Sequence, residues 1–298
     1  MINKKMARDS AAGYAFTLPL IIVMAVFLAY PIGKAAVMSF QYWYMPRPSA
    51  EGHYFQGITN YVNVFKDADF FHSLGITGIY IAVTVVARFA IGLMVAVLLN
   101  EKFRGRGIAR AMIIIPWAIP EVVTCLVWIL MYDKDFGIIN ALARNMGLIA
   151  QPVQFLTNSS IALPSAMAVG IWKGFPFVAI ILLAGLQGIP SELYEAAKVD
   201  GAKPFQRFFA VTWPLLTPVS MIVFLLLIIW TIRDFGIVYL LARGGPAQAT
   251  EILTIFIYHT SFKYFDFGKA SAAGMIMLVF CAVFTAVYLK ALNREDRY

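Results

Sequence analysis

Six long apolar runs constrain this chain more than any other feature. They cover residues 14–40, 74–99, 111–131, 161–186, 214–239 and 270–289. A bilayer core of about 30 Å is crossed by roughly 20 apolar residues in helical form, so each run is long enough to span. Barrel strands would alternate in hydrophobicity over about ten residues, and these runs do not, so the expected fold is an all-α integral membrane protein with six transmembrane helices. Composition agrees: of 298 residues, 61% are hydrophobic and 13% charged. Soluble domains carry about 25% charged residues, so an ordinary soluble enzyme and a disordered chain are both excluded. Cys125 and Cys281 lie inside apolar runs and imply no disulfide framework.

Net charge is +8, and its distribution reads as topology. Lys4, Lys5, Arg8, Lys102, Arg104, Arg106, Arg110, Lys198, Lys203, Arg207, Lys290, Arg294 and Arg297 fall on one side of the six-span scheme. Arg47, Lys66, Lys134, Arg144, Arg243, Lys263 and Lys269 fall on the other. The richer side is expected to be cytoplasmic, with both termini inside. The basic excess thus marks inner loops rather than a nucleic-acid surface. The first run is too long for a signal-peptide core and is expected to be a retained helix. A single transmembrane domain over residues 1–298 is the simplest partition.

The inner loop at about 187–213 has structure of its own. Pro190, Ser191 and Glu192 signal a helix start. Leu193, Ala196, Ala197 and Val199 give that helix a short apolar face, Gly201 breaks it, and Phe205, Phe208 and Phe209 begin a second amphipathic piece. Physical chemistry alone leaves two readings: a docking element presented to the cytoplasm, or an interfacial helix lying on lipid headgroups.

Glu195-Ala196-Ala197, then Gly201, then Val211, Trp213 and Pro214 resemble the EAA loop of binding-protein-dependent ABC importer permeases. Val211 and Trp213 stand where that family usually has Ile and Leu. Asp200-Gly201-Ala202, Pro116-Trp117 with Pro120, Gly137 with Asn140, and Gly244-Gly245-Pro246 are similar to the carbohydrate branch, in particular its larger, MalF-type channel subunit. The resemblance implies the type I ABC importer permease fold in a bacterial inner membrane. It also implies that Glu195, Ala196, Ala197, Asp200 and Gly201 couple to a separate cytoplasmic ATPase dimer. A second permease subunit would complete a heterodimer, and an extracytoplasmic solute-binding protein would deliver the ligand. No Gly-x-x-x-x-Gly-Lys-Ser/Thr phosphate loop occurs in the sequence. The chain is therefore expected to be a permease subunit without an ATPase site, catalytic residues, metal or cofactor of its own, with ATP and Mg on the partner.

Ionisable groups at membrane depth are functional-site hypotheses. Arg88, Glu121, Lys173, Arg233 and Asp234 lie in the runs, and Pro116, Pro120 and Pro176 are expected to break the helices that carry them. A structural ion pair between Glu121 and Lys173 and a buried pairing for Arg88 are the plain alternatives. The resemblance assigns substrate contacts to Trp117, Glu121, Lys173, Gly174, Phe177, Thr231 and Asp234, with Trp172 and Trp230 adjacent. Aromatic rings suit sugar C–H faces, while charged groups suit hydroxyls. Formal charges at three of these positions favour an anionic or amino-substituted sugar over a neutral one. Other readings are an importer permease for amino acids, peptides or phosphonates, and an integral membrane enzyme. His53, His72 and His259 lack the spacing such an enzyme would need.

Overall fold

The computed structural model describes residues 16–295, with side chains described to residue 292. The start of the first run at Tyr14, the cations Lys4, Lys5, Arg8 and Arg297, and the placement of the termini lie outside the described residues. The described chain packs as two compact units, one formed by residues up to 67 with 257–280, the other by 68–256 with 281 onward.

Among the described residues twelve helices follow in order: α1 (Phe16–Ser39), α2 (Thr59–Phe65), α3 (Ala68–Asn100), α4 (Arg106–Ala118), α5 (Glu121–Met131), α6 (Ile138–Asn145), α7 (Ser159–Gln187), α8 (Ser191–Val199), α9 (Pro204–Ile232), α10 (Gly236–Ala242), α11 (Leu253–Phe262) and α12 (Phe267–Glu295). Among the described residues the only β pairing is two isolated bridges, Gln41 with Phe55 and Tyr44 with Asp266. Helices α1, α3, α7, α9 and α12 are each long and apolar enough to cross a membrane, and α4 with α5 passes only as a bent pair.

The third span is therefore broken rather than straight. α4 and α5 meet at 92° around Ile119 and Pro120. Pro120 removes the donor that would continue the helix and forces the preceding residue into extended geometry. Ile119 has φ −65° and ψ 133° accordingly. Pro116 and Pro176 were expected to break their helices as well, yet both lie inside them.

The fifth span also differs from the expected 214–239. It begins ten residues earlier, at Pro204, because the amphipathic piece and the span are one helix. Pro214 does not start it. A π-turn over Phe208–Thr212, closed by the Trp213 N–H on the Phe208 carbonyl, absorbs the proline. The same device stands at residues 25–29, just before Pro31. At its other end α9 stops at Ile232, and a short break leads into α10.

In the larger unit, α3 packs most extensively on α7. Small residues permit the approach: a Cβ on Gly92 would stand 2.5 Å from the Val178 side chain. One apolar cluster gathers Val85, Phe89, Leu182, Leu216 and Val223, with Phe89 stacked 4.1 Å from Phe224. A second gathers Tyr80, Cys125, Val169, Val238 and Ile255. Tyr288 of α12 donates to the Met221 carbonyl of α9 at 2.7 Å. The smaller unit carries a ladder of ring pairs, Tyr42 on Tyr54 and Trp43 on His53, and a Lys269–Asp67 ion pair at 2.5 Å.

Candidate functional site

Two helix interruptions, at residues 119–120 and 233–235, open onto one cleft of about 380 Å³. Its walls include Arg88 of α3, Trp117 of α4, Glu121 of α5, Lys173 and Gly174 of α7, Trp230 of α9, and Arg233 and Asp234 in the break before α10. Broken helices free backbone groups and expose polar side chains, and irregular backbone at membrane depth is tolerated where it is buried in protein or lines a water-filled cavity.

The break at Ile119 and Pro120 shows how this works. If the helix ran straight, the Ile119 carbonyl would be capped by a backbone donor one turn later. It instead accepts from the Lys173 ammonium at 2.6 Å. The hydrogen bond of Lys173 thus goes to a backbone carbonyl rather than to the Glu121 carboxylate. An ammonium has three donors, so two remain for the cleft. Glu121 opens α5 and lies against Gly236, where a Cβ would collide with its carboxylate. Glycine at position 236 is what lets the carboxyl group reach the start of α10.

Arg88 is nearly enclosed, at 7% relative exposure. Its Nε donates to the Gly170 carbonyl at 3.0 Å and its Nη1 to Thr231 Oγ1 at 3.2 Å. Nη2 lies 3.8 Å from Asp234 Oδ2. The Tyr80 hydroxyl donates to that same oxygen at 2.6 Å. The guanidinium fits because α7 has no side chains in its way: a Cβ on Gly174 would stand 2.5 Å from Arg88 Nε, and one on Gly170 3.0 Å from Nη2. Gly174, expected to contact the solute, lines the cleft, and the space beside its Cα is occupied by Arg88.

The cleft thus gathers Trp117, Glu121, Lys173, Gly174 and Asp234. Two other expected site residues sit behind it. Thr231 is buried and serves as an acceptor for Arg88. Phe177 lies beneath the two indoles, 6.2 Å from Trp117 and 4.6 Å from Trp230. Trp230 lines the cleft, whereas Trp172 lines a separate apolar cavity beside Trp128. Tyr80 was not singled out from the sequence. Its signal was the spacing Tyr80, Thr84, Arg88, a polar stripe at helical period on an otherwise apolar helix.

The inner loop forms α8 and the start of α9. α8 ends in a Schellman motif: the Ala202 N–H bonds the Ala197 carbonyl at 2.9 Å and the Gly201 N–H bonds the Lys198 carbonyl at 3.0 Å. Gly201 adopts φ +79° to close it. Tyr194 points inward, its hydroxyl 3.1 Å from Thr212 Oγ1. Glu195, Ala196, Asp200 and Gly201 are exposed, as are the apolar side chains of Leu193 and Val199, while Ala197 is half-buried.

The Gly137 and Asn140 pair ties down a loop. Asn140 donates to the Asp133 and Val153 carbonyls and accepts from the Val153 N–H at 2.8 Å. Beside it, the backbone N–H groups of Phe136 and Asp135 hold the Asp133 carboxyl below the usual carboxylate range. No group of three or more His, Cys, Asp or Glu side chains that could hold a metal ion occurs among the described residues.

A bundle of apolar helices, interrupted where a charged, aromatic-lined cleft opens, is the build of a multi-pass permease. The sequence family described as the binding-protein-dependent transport system inner membrane component matches residues 88–294. The chain belongs to that family and is a multi-pass protein of the inner membrane. It is 35% identical over 295 residues to the trehalose/maltose transport system permease protein MalF of Thermococcus litoralis, covering 97% of this chain and 96% of that one. It is 29% identical to the sn-glycerol-3-phosphate transport system permease protein UgpA of Agrobacterium fabrum, over 96% of each chain. The fold matches a crystal structure of a bacterial ABC transporter that imports the acidic polysaccharide alginate, with a TM-score of 0.81 at 24% identity over 98% of both chains.

Proposed function

We propose that this chain forms the MalF-like half of the translocation path of an ABC importer for a carbohydrate or carbohydrate-derived solute. The solute carries negative charge or several strong acceptors. The observation that carries the reading is the cleft, where three cationic side chains, two carboxylates and two indoles meet at broken helices. Indoles offer faces to sugar C–H groups, and the charged groups offer donors and acceptors to hydroxyl and acid oxygens. The names of the relatives support this class: one carries trehalose or maltose, one sn-glycerol-3-phosphate and one sulfoquinovosyl glycerol. A crystal structure of an amino acid ABC transporter shares the fold less closely, with a TM-score of 0.50 at 17% identity over 80% of this chain.

In this reading Trp117, Glu121, Lys173 and Asp234 touch the solute, Gly174 and Thr231 seat Arg88 beside it, and Phe177 supports the indoles. Exposed Glu195, Ala196, Asp200 and Gly201, with Ala197 behind them, meet the ATPase dimer, which binds ATP and Mg. A second permease subunit forms the other half of the path, and a solute-binding protein docks from outside. A neighbouring fold has been captured with an alginate pentasaccharide-bound periplasmic protein.

Lys173→Met is expected to assemble with its partners and lose uptake of labelled acidic sugars. Glu121→Gln in the same chain should not restore it. Recovery of uptake in the double variant would assign the two charges to each other and overturn the ligand role. Orientation is tested separately. Reporter fusions at Gly105 and Lys203 should report cytoplasm, and those at Gly57, Asn158 and Gly245 the opposite side. A cytoplasmic signal at Asn158 would break the six-span scheme.

A further inference from the structure

Behind α8 lies a further cavity, of about 630 Å³, that the transport reading does not use. It opens between the ends of α3 and α7, the inward face of α8 and the beginning of α9. We propose that it binds a phosphate-bearing anion, of the kind presented by an acidic phospholipid headgroup or by free phosphate.

Charge is the first argument. Lys102 from the loop after α3, Lys198 from α8 and Arg207 from α9 converge on the cavity from three separate segments, against the single carboxylate of Glu101. Cations brought together from different segments repel one another unless an anion or solvent lies between them.

The second argument is an orphaned donor. Arg207 Nε is buried and has no hydrogen-bond partner among the described residues. A guanidinium N–H withdrawn from water calls for an acceptor. Its planar fork suits the oxygens of a phosphate. The Asn100 amide and the paired hydroxyls of Tyr194 and Thr212 supply further polar wall.

The third argument is apolar lining. Val97, Leu186 and Phe208 also line the cavity, so it offers apolar surface beside its cations. Basic pockets between helices at a membrane surface recognise acidic headgroups in this way, with the apolar side accepting the glycerol and acyl roots. The site stands directly behind the Tyr194 face of α8, so an occupant would brace that helix from within.

The test uses the complete transporter in nanodiscs of phosphatidylcholine with a minor fraction of phosphatidylglycerol. Retained lipid is counted by mass spectrometry. Wild-type protein should retain phosphatidylglycerol in excess of its share, and Lys102→Glu, at an exposed loop position, should bind it about tenfold more weakly. Arg207→Gln should act in the same direction wherever the complex still assembles. In phosphatidylcholine discs alone, inorganic phosphate is added and thermal unfolding followed. A phosphate-dependent rise in melting temperature, lost in Lys102→Glu and without lipid enrichment, would assign the site to free phosphate. Equal lipid retention by wild type and Lys102→Glu, with no phosphate-dependent shift, would overturn the proposal. Neither readout involves uptake or ATP hydrolysis, so failure here leaves the transport reading standing and failure of transport leaves this site intact.

Discussion

Arg88→Met is expected to destabilise the protein by about 3–5 kcal/mol, the usual result of removing one partner from a buried charge pair. The guanidinium joins three elements at once. It holds the Gly170 carbonyl of α7, Thr231 of α9, and Asp234 in the break that follows. Without it Asp234 keeps the Tyr80 hydroxyl but loses its cation, and a carboxylate enclosed without a counter-charge is costly. Methionine fills much of the slot over Gly170 and Gly174, so the loss reports charge more than cavity. Removing both charges is the informative control, because an apolar or neutral replacement of a whole buried pair is often tolerated. Arg88→Met with Asp234→Asn should therefore recover most of the stability, measured by thermal unfolding of the purified protein. A single variant that melts like wild type would mean that the network contributes nothing to folding. Gly174→Val should fall in the same direction as Arg88→Met, since its side chain would enter the space that Arg88 occupies.

The sequence made the membrane helices legible because lipid imposes one simple demand, an unbroken apolar length with every backbone group paired within it. It was silent where the chain breaks that demand without changing hydropathy. Phe235, Ile237 and Val238 continue the apolar run past Ile232, so the charges of Arg233 and Asp234 read as a polar site within the span rather than as its end. Pro214 looks like a helix start, and only the π-turn before it reveals that the helix began at Pro204. Pro116, Pro120 and Pro176 read alike in sequence, but only Pro120 turns the chain. The cleft was legible through the cost of charge at membrane depth, which pointed to Glu121, Lys173 and Asp234. The partner choices within it were not. They depend on how closely α3 approaches α7, which two glycines one helical turn apart decide. The carbonyl that holds Lys173 exists only because the helix breaks at Ile119.

Gly201→Leu is expected to leave the protein folded and inserted but to abolish solute-stimulated ATP hydrolysis by the assembled importer. The prediction rests on where the strain falls. A Cβ at position 201 would meet nothing within 4 Å, so no packing is disturbed, yet φ is +79°. A residue with a side chain pays about 1–2 kcal/mol to hold a left-handed conformation. The loop can escape that cost by opening the Schellman turn, releasing the Ala197 and Lys198 carbonyls and swinging α8 relative to α9. Helix α8 is the element that presents Glu195, Ala196 and Val199 outward, so its direction is what a docking partner would read. Asparagine tolerates the left-handed region better than leucine, and Gly201→Asn should retain a substantial part of the coupling. Glu195→Lys leaves the turn untouched and reverses an exposed charge, so it should reduce coupling without altering proteolytic sensitivity around residue 201. Co-purification with the ATPase, stimulated hydrolysis and limited proteolysis of the loop together separate these outcomes. Full stimulated activity in an intact Gly201→Leu complex would remove α8 from the coupling path.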